Sequence, residues 1–259
     1  MDKIHHTISY IKYMLCSRHY RGDGVHSPFV FSLIKNVFRE QNLYYIYNNV
    51  EKVRNLLLND LTEIAIKDYG TGAAKKRKIA DIAKKSLKTE KYSQLLFRLI
   101  NFLKPKTILE LGTSLGITTM YLAAADSKSR CITIEGCPQT LEVANRLFKE
   151  NNYTNIESHC GNIDVLLPEL LRNIETLDFV FFDANHKKAP TLNYFEKCLE
   201  KTSSKSIFVF DDIYWSREMT QAWKQIISHQ RVHVSIDIFA MGIVFFDDEL
   251  QKGDYILRF

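Results

Sequence analysis

From Lys106 onward, short apolar runs alternate with amphipathic stretches, and this alternation limits the possible folds more than any other feature of the chain. TILEL, CITIE, IESHC, LDFVFFD and SIFVFDD are each followed by a stretch with helical spacing. Such a strand–helix series predicts a parallel sheet with helices on both faces. LDFVFFD is almost wholly apolar, as a strand covered on both faces must be. After the fifth run the rhythm changes. VHVSIDIF and GIVFFD are separated only by Ala240 and Met241, too short a link for a helical crossover, so the two must pair antiparallel. The expected architecture is a doubly wound α/β sheet, mostly parallel, with an antiparallel terminal strand. The closing DYILRF is a further edge strand or a packing tail.

Before Lys106 the chain reads mostly helical. In HSPFVFSLIKNVFRE, Ser27 is placed as N-cap with Pro28 at the first helical position, and VEKVRNLLLNDL continues in the same style. Residues 1–91 are therefore expected to form a helical accessory or lid segment, and residues 92–259 the main domain. In RGDGVHSPFVF, His26 and Phe29 are weighed as pocket-facing side chains against a plain helix cap with core aromatics, and the second reading is preferred. The basic run KKRKIADIAKKSLKTEK reads as the solvated face of an amphipathic helix, because Ile79, Ile82 and Ala83 give it an apolar stripe. With a net charge of only +5, a nucleic-acid partner is disfavoured. Five cysteines, odd in number and without metal spacing, fit a reducing cytoplasm better than a disulfide framework. No segment is long and apolar enough to span a bilayer, and the N-terminus lacks the uninterrupted apolar core of a signal peptide.

Two glycine turns compete as the nucleotide-binding turn: DYGTGAA from Asp68, and ELGTSLG from Glu110. A binding turn should follow the first strand and open the next helix, so that backbone N–H groups meet the ligand, and an acid should end the second strand for the ribose hydroxyls. ELGTSLG meets each condition, with Glu135 closing CITIE. DYGTGAA is followed only by helical stretches and reads as an elbow, either a gate beside the acceptor or a plain interhelix loop, with Asp68 or Tyr69 near the substrate if it is a gate.

The glycine pattern is E-x-G-x-x-x-G rather than the dinucleotide G-x-G-x-x-G. With LELGTSLG, ITIEG and CGNIDVLLPEL in sequence, the stretch from Tyr92 to Phe246 resembles the class I S-adenosylmethionine-dependent methyltransferases, which have a Rossmann-like sheet. The resemblance implies that Glu110, Gly112, Thr113, Ser114 and Gly116 line the methionine and ribose side of S-adenosylmethionine, that Glu135 takes the ribose hydroxyls and that Asn162 and Ile163 flank the adenine. Asp183 is also expected to touch the cofactor.

The loop after the fourth strand reads DANH and not the N-P-P-Y type used on base amino groups. LDFVFFDANHKKAP followed by SIFVFDDIYWS is similar instead to the catechol and caffeoyl-CoA O-methyltransferase group. That likeness implies a divalent metal, Mg²⁺ or another, held by Asp183, Asp211 and Asp212. In the group's pattern an Asn stands where this chain has Asp212, and a Lys stands where it has His186. An imidazole near neutral pH suits a general base, so His186 and Asp183 are the catalytic candidates, with His186 also weighed as a metal ligand. The expected activity is methyl transfer to a hydroxyl of a small molecule, catechol-like, quinol-like or otherwise hydroxylated. The alternatives are an RNA or protein methyltransferase and a non-catalytic cofactor-binding scaffold. A homodimer is left open.

Overall fold

The computed structural model describes residues 2–19, 21–67 and 74–259. The chain begins with α1 (Lys3–Cys16) and α2 (Pro28–Leu33), and α2 runs into a π-helical segment, Ile34–Phe38. Then come α3 (Tyr45–Asn59), β1 (Glu63–Lys67), β2 (Ala74–Lys78), α4 (Ile79–Ser86) and α5 (Glu90–Leu103). The strand–helix series follows: β3 (Thr107–Leu111), α6 (Ile117–Ala124), β4 (Arg130–Glu135), α7 (Pro138–Glu150), β5 (Ile156–Cys160) and α8 (Ile163–Arg172). It continues through β6 (Leu177–Phe182), α9 (Lys188–Leu199), β7 (Thr202–Asp211) and α10 (Arg217–Ile227), and ends in β8 (Val234–Asp237), β9 (Met241–Phe245) and β10 (Gly253–Ile256).

Eight of these strands make a mostly parallel mixed sheet, as the alternation requires. The residues divide into two compact units, 1–40 with 171–259, and 41–170. The first 91 residues are thus shared between the units at position 40.

In the first unit the strands run in the order β10-β8-β9-β7-β6. β6 and β7 are parallel, and β9 lies antiparallel to both β7 and β8. The short link at Ala240 dictates this pairing. β10 adds a parallel edge strand beside β8. Every residue of β9 is buried, and Gly242 supplies room there: a Cβ at that position would sit 2.6 Å from the Trp223 ring of α10. α10 turns Met219, Ala222, Trp223 and Ile226 inward at helical spacing. In α2, Ser27 Oγ accepts from the backbone N–H of Val30, and Pro28 occupies the first turn, the cap expected of that sequence.

In the second unit β3, β4 and β5 are parallel neighbours in that order. Tyr47, Val50, Val53 and Leu57 of α3 pack with residues of α4, α6 and α7 in one apolar cluster. The helical reading of the basic run is corrected here. Glu63–Lys67 and Ala74–Lys78 pair as antiparallel strands, so the basic run begins as a strand and becomes helical only at Ile79. Tertiary packing overrides local propensity at this point. Ile64 and Ile66 pack on the cluster, the Ala65 N–H bonds the Gln139 side chain, and the Cys137 thiol donates to the Ala65 carbonyl. The proposed elbow, Asp68 to Ala73 with Tyr69, Gly70 and Gly72, lies outside the described residues.

Candidate functional site

The residues expected on the cofactor side, Asp183 apart, all belong to the second unit and meet at the carboxyl ends of β3, β4 and β5. Glu110, on β3, is fully buried, and its Oε2 accepts from Thr119 Oγ1 at 2.5 Å and from Thr133 Oγ1 at 2.6 Å. Thr133 is reached in turn by Thr113 Oγ1 at 2.5 Å. The other oxygen, Oε1, is buried without a hydrogen-bond partner. Burial pushes the Glu110 carboxyl up to about 7. The two threonine hydroxyls oppose the rise, and the negative charge of Glu135 adds to it.

The turn after β3 is hooked onto β4. The N–H groups of Gly112 and Thr113 donate to the carbonyl of Ile134 at 3.0 and 3.2 Å. The Ser114 N–H donates to Glu135 Oε2 at 2.8 Å, and the Cys137 N–H donates to Oε1 at 2.9 Å. Burial raises the Glu135 pKa, and these backbone donors work against it. Ser114 is left-handed at φ 49° and Gly116 at φ 84°. Gly116 opens α6 where a Cβ would come within 2.6 Å of Phe148 and 3.0 Å of Ala144, so this residue sets both the turn and the approach of α7. A carboxylate oxygen has more than one acceptor site, so Glu135 can hold the turn and still take a ribose hydroxyl. Gly161 N–H donates to the Glu135 carbonyl at 2.9 Å, which places the start of α8 beside it. There Asn162 is exposed, its Oδ1 accepts from the Asp164 N–H at 2.9 Å, and Ile163 is buried. The eight residues expected on this side are therefore gathered at neighbouring strand ends.

The acceptor-side residues belong to the first unit. Asp183 follows β6 and Asp211 ends β7. Because Phe182 pairs with Phe210, the two carboxylates follow each other across the ladder. Asn185 (φ 64°) and His186 (φ 36°) are successive left-handed residues, and the His186 N–H reaches the Ala184 carbonyl at 2.8 Å. Backbone in this region carries strain and gathers at functional loops. The turn brings His186 Nε2 to 3.5 Å from Asp183 Oδ1 and lays the imidazole 6.1 Å from the Trp215 ring. Asp212, also left-handed at φ 51°, donates its N–H to the Ala240 carbonyl at 2.8 Å. The cap of α10 is Ser216, whose side chain accepts from Met219 N–H, so neither Asp211 nor Asp212 is needed there. Among the described residues no group of three or more His, Cys, Asp or Glu side chains is arranged to hold a metal ion. A ligand set of Asp183, Asp211 and Asp212 is not shown; Asp211 is 2% exposed at the end of its strand. Phe29 packs edge-on against Phe245 at 5.0 Å, the core role preferred for it from sequence.

Sequence reasoning missed Thr119 and Thr133, the donors to Glu110, and Trp215 beside His186. Thr133 carried a readable signal, a hydroxyl inside the otherwise apolar run CITIE. It also missed Tyr214 and Asp237, whose signal was an acid at the end of an apolar strand.

Residues 109–213 match a family model described as a methyltransferase domain. A catechol O-methyltransferase of Niastella koreensis is 32% identical over 126 residues, 48% of this chain and 55% of that protein. An O-methyltransferase of Aspergillus flavus is 29% identical over 122 residues, 45% of this chain and 49% of that protein. The chain thus spans about half the length of the curated relatives it matches. The O-methyltransferase of Bacillus cereus, solved with S-adenosylhomocysteine, shares the fold with a TM-score of 0.56 at 17% identity, covering 84% of this chain and 97% of that one. No helix among the described residues is long and apolar enough to cross a membrane. The glycine turn, the acid that closes β4, the sheet order and these likenesses agree in making residues 109–213 similar to a methyltransferase domain.

Proposed function

We propose that this chain transfers the methyl group of S-adenosylmethionine to a hydroxyl of a small molecule, with His186 as general base. The observation that carries the reading is the His186–Asp183 pair on its strained turn. Bound S-adenosylmethionine supplies a methyl carbon already activated by its sulfonium. The chain then has to hold the donor, place the acceptor and remove a proton. Glu135 and the turn from Gly112 to Gly116 hold the donor. Asp183 lies 3.5 Å from the Nε2 side of the imidazole, which leaves Nδ1 to take the hydroxyl proton as the oxygen–carbon bond forms and the carbon–sulfur bond breaks. The Asp183 carboxylate then faces the imidazolium that results. Trp215 offers a flat apolar wall suited to an aromatic acceptor. No step is assigned to the divalent ion expected on Asp183, Asp211 and Asp212.

The test is methyl transfer to a catechol-type acceptor by protein freed of metal. Turnover is expected to persist in excess chelator and to fall about a hundredfold in His186→Ala, the usual contribution of a positioned base. Activity abolished by chelator and restored by Mg²⁺, or an undiminished rate in His186→Ala, would overturn the reading.

A further inference from the structure

α1 has two apolar faces, and among the described residues only one of them has a partner. On the inner face Ser9 and Tyr13 are buried, the Tyr13 hydroxyl donates to the Leu257 carbonyl at 2.6 Å, and His5 Nε2 meets Thr220 Oγ1 at 2.8 Å. The rings of His6, Tyr10 and Tyr13 surround Phe239 with centroids 5.0, 5.0 and 5.4 Å away. The outer face carries Ile4, Ile8, Ile11 and Leu15, which are 72, 48, 54 and 77% exposed. Steps of four, three and four residues put all four on one stripe of a helix.

The charge beside the stripe identifies what it meets. Lys3 and Lys12 are exposed on its two flanks, and Arg18 is exposed just past its end. Lys3–Cys16 contains no Asp or Glu. Asp2, the N-cap, accepts from the His5 N–H and lies 3.5 Å from Arg217. A second copy packed on this face would bring lysines toward lysines with no acid on the helix to answer them. An anionic bilayer answers both features at once: the aliphatic stripe enters the acyl boundary while the lysine ammonium groups rise to the headgroup phosphates. At 14 residues the helix lies in the surface and is too short to cross it. We propose that α1 is an in-plane docking helix that seats this chain on an anionic phospholipid surface.

Co-sedimentation with vesicles of phosphatidylglycerol and phosphatidylcholine, compared with phosphatidylcholine alone, tests this. The wild-type chain should bind the anionic vesicles, and high salt should weaken the binding. The double substitution Ile8→Glu with Ile11→Glu should lower partitioning by at least about tenfold while the denaturation midpoint holds, because both positions are exposed. Lys3→Glu with Lys12→Glu should abolish the preference for anionic over neutral vesicles. Light scattering without lipid should give a monomer. Absence of binding to anionic vesicles would overturn the proposal. So would a lipid-free dimer that Ile8→Glu with Ile11→Glu dissociates, which would give the stripe to a second copy.

Discussion

The Tyr214 hydroxyl donates to Asp237 Oδ2 at 2.5 Å, tying the loop after β7 to the end of β8. Asp237 is 6% exposed, and burial raises its pKa, although the Tyr214 hydroxyl and the Phe239 N–H oppose that rise. The Phe239 N–H reaches the other carboxylate oxygen at 2.8 Å. Because Ala240 receives the Asp212 N–H, the pair braces the same loop that carries Asp212.

Tyr214→Phe removes the donor and leaves a buried carboxylate oxygen unanswered. The expected cost is about 1–3 kcal/mol of stability, read from denaturant unfolding. An unchanged midpoint would show that the carboxylate finds another donor.

Glu110 makes stability depend on pH. The native carboxyl keeps its proton up to about 7, against 4.5 for the ordinary group. Between those values the native state binds more protons than the unfolded one, so stability falls as pH rises through this window and levels off above it. The drop is on the order of 3 kcal/mol. Glu110→Gln cannot titrate and should flatten that slope in melts taken from pH 4.5 to 8, whatever its effect on absolute stability. A slope that survives the substitution would assign the dependence to other groups.

Glu135→Ala takes the acceptor away from the Ser114 and Cys137 N–H groups and removes the carboxylate proposed for the ribose. Affinity for S-adenosylmethionine should fall at least about tenfold, the worth of one hydrogen bond to a charged group. Calorimetry giving the wild-type affinity would remove Glu135 from the binding site.

Gly116→Ala forces a side chain into a left-handed residue and against the Phe148 ring. Strain and overpacking together should cost about 2–4 kcal/mol, and cofactor affinity should fall with the distorted turn. Wild-type stability would mean that α7 moves aside freely.

The sheet was legible because its strands are strongly patterned. LDFVFF and SIFVFD declare burial on both faces, and the short link at Ala240 permits only an antiparallel pair. The glycine turn and Glu135 were legible for a related reason, since strand, turn, helix and terminal acid come in a fixed order. The β1–β2 pair was not legible. AKKRK has no strand pattern of its own, and its conformation is set by the pairing with EIAIK and by the Gln139 side chain from a distant helix. The metal triad was read from residue type at matching positions. Residue type at neighbouring strand ends does not by itself fix where three carboxylates point their oxygens.

Phe239, left-handed at φ 68°, has a further consequence. The Tyr214 ring stacks on it at 5.2 Å and 17°, on the same residue that His6, Tyr10 and Tyr13 surround. One aromatic side chain is therefore the pivot between the first helix and the segment two residues beyond Asp212. The contacts of α1 and of the loop after β7 thus converge on one side chain, so Phe239→Ala would loosen both at once.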